Sequence, residues 1–191
     1  MKIKREFFVR SDVTLIARQL LGKRLCTRAD GIVTGGLIVE TEAYSEREKG
    51  CHAYKGITPR NAVMYEEGGI AYVYLCYGIH EMFNIVTNRR GKADAVLIRA
   101  LEPVVGVDVI MQRMKARSEK KLTAGPGKLT KALGIDRSRN GRSVSSADLW
   151  IEEAETPEDI VCGPRIGIDY AGDDAHLPWR FSLRDNPWVS K

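Results

Sequence analysis

Val13, Ile16 and Leu20 fall on one face of a helix, with Ser11 and Asp12 placed to cap it and Gly22 to end it, so the chain opens on an amphipathic helix. Period-two alternation then takes over. Residues 25–28 and 36–42 flank Asp30 and Gly31, a pair that tolerates the positive φ angles of a tight turn, and read as a hairpin. In its second strand Leu37, Val39 and Thr41 point to one side, while Ile38, Glu40 and Glu42 point to the other. Thr58 as cap and Pro59 at the first helical position predict a short helix through Met64. Residues 70–77, 82–87 and 93–99, joined by turns at 78–80 and 88–91, read as an antiparallel meander. Pro103 precedes a helix with Val107, Ile110, Met111 and Met114 inward, and Gly125, Pro126 and Gly127 open another through Leu133. Short strands near residues 149–151, 165–168 and 181–183 complete one mixed α+β domain over residues 1–191. The regular strand–helix alternation of a doubly wound nucleotide fold is absent, as are repeats of 20 to 50 residues.

Composition narrows the function classes. A chain of 191 residues with 43% hydrophobic and 29% charged positions can bury one sizeable core. Its longest mainly apolar stretch, residues 70–77, is far short of the roughly 20 residues needed to cross a bilayer. The charged start, residues 2–10, lacks the core of a signal peptide. Cys26, Cys51, Cys76 and Cys162 are scattered without a CxxC pair, which fits reduced thiols in a cytoplasm. The net charge of +5 is unevenly spread: residues 113–142 hold ten Lys or Arg against Glu119 and Asp136, a local excess of +8. Such a segment is either a solvated basic loop or a surface for a polyanion, whose phosphates release counterions on contact. The glycine-rich helix start at 125–127 offers free backbone N–H groups to a phosphate oxygen, although P-loop spacing is absent.

Several residues are candidates for chemistry. Glu40 and Glu42 share a strand face roughly 7 Å apart and lead into Tyr44 on the same parity. They read either as a carboxyl pair able to divide acid and base roles or as an exposed hairpin edge. Arg99 closes the apolar run 95–98 and is either buried against one of these carboxylates or placed at the rim. Tyr72 and Tyr74 lie on one face of their strand and Tyr77 on the other, at a hairpin tip. Tyrosines so placed can cover half-buried sheet, or stack on bases and wedge between them. His52, His80, His176 and Cys76 supply no metal-ligand spacing, and there is no serine elbow or dinucleotide fingerprint.

The runs IVETEAY (38–44), TPRN (58–61), YVYLCYG (72–78), VLIRALEP (96–103), GPGKL (125–129) and PWVS (187–190) together resemble the alkyladenine DNA glycosylase family, the 3-methyladenine DNA glycosylases of mammalian type. The resemblance runs through nearly the whole chain, in order. It implies a curved antiparallel sheet with flanking helices and a protruding β-hairpin. It further implies a monofunctional repair glycosylase, acting as a monomer without cofactor or metal on double-stranded DNA that contains damaged purines. By resemblance Glu42 is the general base that activates water, Arg99 helps hold that water, and the backbone carbonyl of Ile166 does the same. Tyr44, His52 and Tyr74 match the residues that enclose the extruded base, Asn84 the residue that crowds a guanine 2-amino group, and Tyr77 the wedge. The resemblance gives Glu40 no chemical role. Thr58, Lys120, Lys121 and Lys128 are expected on DNA phosphates. The loops on either side of His52 are shorter than in mammalian relatives, and Ile79, His80 and Glu81 replace a more aromatic hairpin tip. The missing N-terminal extension suggests a compact bacterial type, cytoplasmic and associated with the nucleoid. A non-catalytic damaged-DNA module would not need Glu42 and Arg99, and a sugar glycosidase would have no use for the basic segment and tyrosine wedge.

Overall fold

The computed structural model of the chain describes residues 1–190. Its spine is a long strand, β2 (Ile32–Tyr44), which follows β1 (Arg24–Ala29) across a turn with φ 54° at Asp30 and 77° at Gly31. That is the geometry of a type I′ hairpin, and it explains the Asp-Gly pair. Around β2 an eight-stranded antiparallel sheet is built in the order β3 (Ala71–Cys76), β4 (His80–Thr87), β5 (Asp94–Val105), β2, β1, β6 (Leu149–Glu152). The other two of the eight strands, β7 (Ile160–Gly163) and β8 (Arg180–Leu183), lie off this path and join it through β8, which pairs with β2.

Three α-helices pack on this sheet in an α+β arrangement. Helix α1 (Val13–Leu20) is capped by the Asp12 carboxylate, which accepts from Leu15 N–H at 2.9 Å, and buries Val13, Ile16, Ala17 and Leu20. The Thr41 hydroxyl donates to the Ala17 carbonyl at 2.9 Å and ties that helix to β2. Helix α2 (Val107–Met114) buries Ile110 against the main core, and α3 (Pro126–Leu133) buries Leu129, Ala132 and Leu133. Gly127 packs so closely against the His80 ring that a Cβ there would lie 2.9 Å from it, so glycine lets α3 approach the β3–β4 hairpin.

The structure corrects four expectations. Pro103 lies inside β5, opposite Gly36, and α2 begins only after Gly106 turns the chain at φ 63°. Pro103 is tolerated because the register of β5 with β4 ends at Leu97, leaving the proline side of the strand unpaired with β4. Residues 165–168 form a loop, and the strand expected there is β7, immediately before it. The expected helix from Pro59 is reduced to a 3-10 turn, Ala62–Tyr65, preceded by a turn in which Asn61 N–H donates to the Thr58 hydroxyl at 3.4 Å. Ile38 belongs to the main core and not to the carboxylate face. The reason is a bulge: Ile38 pairs with Leu101 but Glu40 with Ala100, so Val39 is an extra residue.

A second irregularity follows at once. Glu40 pairs with Ala100 and Thr41 with Ile98, which makes Arg99 the extra residue on β5. Bulges break the strict alternation of a strand and re-aim a side chain. Here they sit where Glu40, Glu42 and Arg99 meet.

Candidate active site

The sheet has two differently used faces. One carries the main core, including Val73, Phe83, Ile85, Val96 and Ile98. The other carries a smaller cluster around Tyr72, Val86 and Ala95, and beside it opens a cavity of about 520 Å³. Tyr44, His52, Tyr74, Asn84, Arg99, Tyr77 and Ile166 all border this cavity, so seven positions from six separate stretches of sequence converge in one place. Its volume is in the range of small-ligand sites.

Glu42 is fully buried directly behind the wall. Its Oε1 accepts from Ile166 N–H at 2.8 Å, its Oε2 accepts from the Tyr44 hydroxyl at 2.8 Å, and Arg99 Nη1 lies 3.2 Å from Oε2. All three partners line the cavity. Burial, and then the neighbouring Glu42 charge, push the Tyr44 phenol well above its ordinary pKa, so it stays protonated and donates. Arg99 is only 6% exposed, and the two carboxylates beside it outweigh the cost of burial and raise its pKa. Ile166 therefore contributes its N–H to the carboxylate, a hydrogen bond that the sequence alone does not foretell.

Glu40 is equally buried but differently placed. Its Oε1 accepts from Arg99 Nε at 3.0 Å and from Arg180 Nη1 at 3.1 Å, and its Oε2 accepts from Ser190 N–H at 2.8 Å. Of these partners only Arg99 reaches the cavity wall. Neither glutamate is an exposed hairpin edge, and Arg99 is not at a rim.

The aromatic residues divide into walls and a tip. His52 Nδ1 lies 3.0 Å from the Tyr72 hydroxyl, and the His52 and Tyr74 rings meet edge-on with centroids 4.5 Å apart, so they make one wall together. Partial desolvation against the Tyr72 and Tyr74 rings, then the nearby Arg60 guanidinium, lower the His52 pKa although the residue keeps an exposed edge. Tyr72 is buried and covers sheet, as its β propensity alone would suggest. Asn84 opposes Tyr72 in the β3–β4 register and donates to its carbonyl at 3.2 Å. Tyr77 is 89% exposed at the hairpin tip, held at φ 50° next to Gly78 at φ 72°, with Ile79 also exposed beside it.

Three residues at the site escape a reading of the sequence. Arg60, inside TPRN, lies over the Tyr74 ring at 5.7 Å. Tyr170 is an exposed aromatic on the lip, with its hydroxyl donating to the Gly50 carbonyl at 3.3 Å. Arg165 lies 4.7 Å from the centre of the Tyr44 ring and grips Glu48 with bonds of 2.6 and 2.8 Å. Only Arg60 has a visible signal, a cation within a turn motif. The other two depend on how the segment after β7, a short loop and the 3-10 helix Asp169–His176, folds back, which no local pattern encodes.

The basic segment is less uniform than its sequence suggests. Lys120, Lys121 and Lys128 are exposed, as is Thr58 beside a smaller groove that shares His52 and Arg60 with the main cavity. Arg139 is buried on Asp148 at 2.6 Å, Arg113 donates to Thr34 and to the Ala132 carbonyl, and Arg137 pairs with Glu81. Three of the ten cations thus serve the fold. Among the described residues no three His, Cys, Asp or Glu side chains converge as a metal site would need, and no helix is long and apolar enough to cross a membrane.

The site is thus a buried carboxylate held by an arginine behind an aromatic cavity, beside an exposed tyrosine tip. Residues 6–187 match the Methylpurine-DNA glycosylase family, and the chain belongs to it. A protein of Carboxydothermus hydrogenoformans is 47% identical over 194 residues, covering 100% of both chains. One from Methanocella arvoryzae is 46% identical, covering 99% of this chain and 96% of its own, and one from Chlamydia felis is 45% identical with 93% of each covered. All three are provisionally named 3-methyladenine DNA glycosylases.

Proposed function

We propose that this protein removes alkylated or deaminated purines from duplex DNA by extruding the nucleotide into the 520 Å³ cavity and hydrolysing its N-glycosidic bond with water activated by Glu42. One observation carries the reading: all three groups that hold the Glu42 carboxylate also line the cavity. A carboxylate has room for about four donors, so three protein bonds leave capacity for one water between Glu42 and a nucleotide in the cavity. The ionised base takes the water's proton as its oxygen bonds to C1′ and the C1′–N bond breaks, with the electron pair leaving on the purine. A purine alkylated at N3 or N7 is already cationic and leaves readily as the neutral base, whereas a deaminated purine leaves as an anion that takes up a proton from water. Tyr44, His52 and Tyr74 all border the cavity and offer π faces that favour a cationic base. Asn84, which borders the cavity, is assigned the role of crowding a guanine 2-amino group.

Tyr77 supplies the wedge. An extruded nucleotide leaves a gap in the stack that recloses unless filled, and an aromatic side chain 89% exposed on a rigid turn buries little in the free protein. The Tyr77→Ala protein is expected to melt like the parent while base release falls further on a lesion in a stable pair than on the same lesion in a mismatch. Single-turnover release from the two duplexes checks this, and equal losses on both would remove the wedge role.

Phosphate binding is assigned to the exposed lysines. With Lys120, Lys121 and Lys128 replaced by Ala, the log–log dependence of duplex affinity on salt is expected to flatten by roughly 0.9 for each phosphate that is no longer neutralised. An unchanged slope in a binding titration would place the DNA elsewhere. The sugar-glycosidase alternative predicts hydrolysis of simple aryl glycosides, which this reading expects to be inert.

A further inference from the structure

Resting on Glu42 as the base, we infer that Glu40 is a positioning residue for the reaction: it fixes the Arg99 guanidinium so that Arg99 supports Glu42 without closing over it. Glu40 has no exposure and does not border the cavity, so it does not touch the substrate. It meets the site only through Arg99, whose Nε it holds at 3.0 Å while Nη1 reaches Glu42 at 3.2 Å. The guanidinium plane is therefore pinned between two carboxylates, and Arg180 and the Ser190 N–H hold Glu40 in turn. Two carboxylates and two guanidiniums make this cluster formally neutral, with Arg180 at its partly exposed end. Bulk stability does not demand such a set, because well-packed apolar residues often replace buried ion networks without loss.

What the set provides is orientation. A guanidinium is a rigid fork that prefers to grip a carboxylate with two parallel bonds. Released from Glu40, Arg99 would keep only the long 3.4 Å bond from its Nη2 to the Ser190 hydroxyl and could turn both nitrogens onto Glu42, occupying the acceptor position that the water needs. The bulge that makes Arg99 an extra residue on β5 gives the side chain its unusual aim, and Glu40 fixes it there. A Gln at position 40 cannot substitute: either way its carboxamide turns, an NH₂ group faces a donor, Arg99 and Arg180 on one side or the Ser190 N–H on the other.

The test is single-turnover base release from a methylated duplex over a range of enzyme excess, below the melting temperature of each variant. For Glu40→Gln the maximal rate is expected to fall at least about tenfold, with the half-saturating enzyme concentration within about twofold of the parent. On an Arg99→Lys background the same substitution is expected to cost less than about twofold more, since its effect passes through that guanidinium. If Glu40→Gln does not fold at the assay temperature, Glu40→Asp, which keeps the charge but withdraws it by one methylene, is held to the same criteria. An unchanged maximal rate, or an equal loss repeated on Arg99→Lys, would overturn the inference. Glu42→Gln is measured alongside: its loss with an unaffected Glu40→Gln removes this inference alone, whereas wild-type release by Glu42→Gln removes the reading of the base and this inference with it.

Discussion

Glu42→Gln is expected to bind alkylated duplex much as the parent does and to release base at least about 10²-fold more slowly. The carboxamide fills the same volume and still accepts from one side, but it cannot take the water's proton. The substitution also sets its NH₂ against either the Ile166 N–H or the Arg99 guanidinium, in a site with no exposure. A buried donor without an acceptor costs about 1–3 kcal/mol, so a modest loss of thermal stability accompanies the loss of rate. Stability and rate must therefore be measured on the same preparation, with the rate taken well below the melting transition. Release at the parent rate from a folded Glu42→Gln protein would show that the base lies elsewhere.

Arg99→Met is expected to have the largest effect on the fold. Arg99 is the partner shared by Glu40 and Glu42, and its removal leaves Glu42 buried with no cation within salt-bridge distance, while Glu40 keeps Arg180. Removing one partner of a buried ion pair costs about 3–5 kcal/mol. For a chain of this size that is a fall in melting temperature of roughly 6–20 °C. Base release is expected to fall by roughly 10²-fold, the order seen when a preorganised charged donor is taken from an active site. Arg99→Lys keeps the charge but cannot span two carboxylates with a planar fork, so it should recover part of the stability and less of the rate. Calorimetry and single-turnover release separate the two effects, and a Met variant as stable as the parent would mean that the cluster is not charged as described.

The elements of this fold were largely legible, because β3 and β4 alternate between the two faces and the β1–β2 and β3–β4 turns carry Asp-Gly and Tyr-Gly at positive φ. What stayed hidden was long-range or irregular. Strict alternation correctly placed Glu40, Glu42 and Tyr44 on one face, but the bulge at Val39, which moves Ile38 to the core, has no sequence signature of its own. Glu42 could be proposed as a base from the motif around it, whereas the Ile166 N–H that holds it comes from a loop 124 residues away. Counting Lys and Arg exposed a basic segment but not that Arg139 is spent on Asp148. Glu40 shows the limit most clearly. Its importance lies entirely in Arg99, Arg180 and the Ser190 N–H, three groups that only the folded chain brings together.

The proposed reaction is hydrolysis of the bond between a damaged purine and its sugar. The most direct measurement is chromatographic detection of free base from a duplex carrying a single alkylated purine, with the DNA strand followed before and after alkali. The expected result is free methylpurine in step with an alkali-labile abasic site, no strand break until alkali is added, and no release from the undamaged duplex. Tight binding to the lesion without free base, or strand cleavage accompanying release, would contradict it.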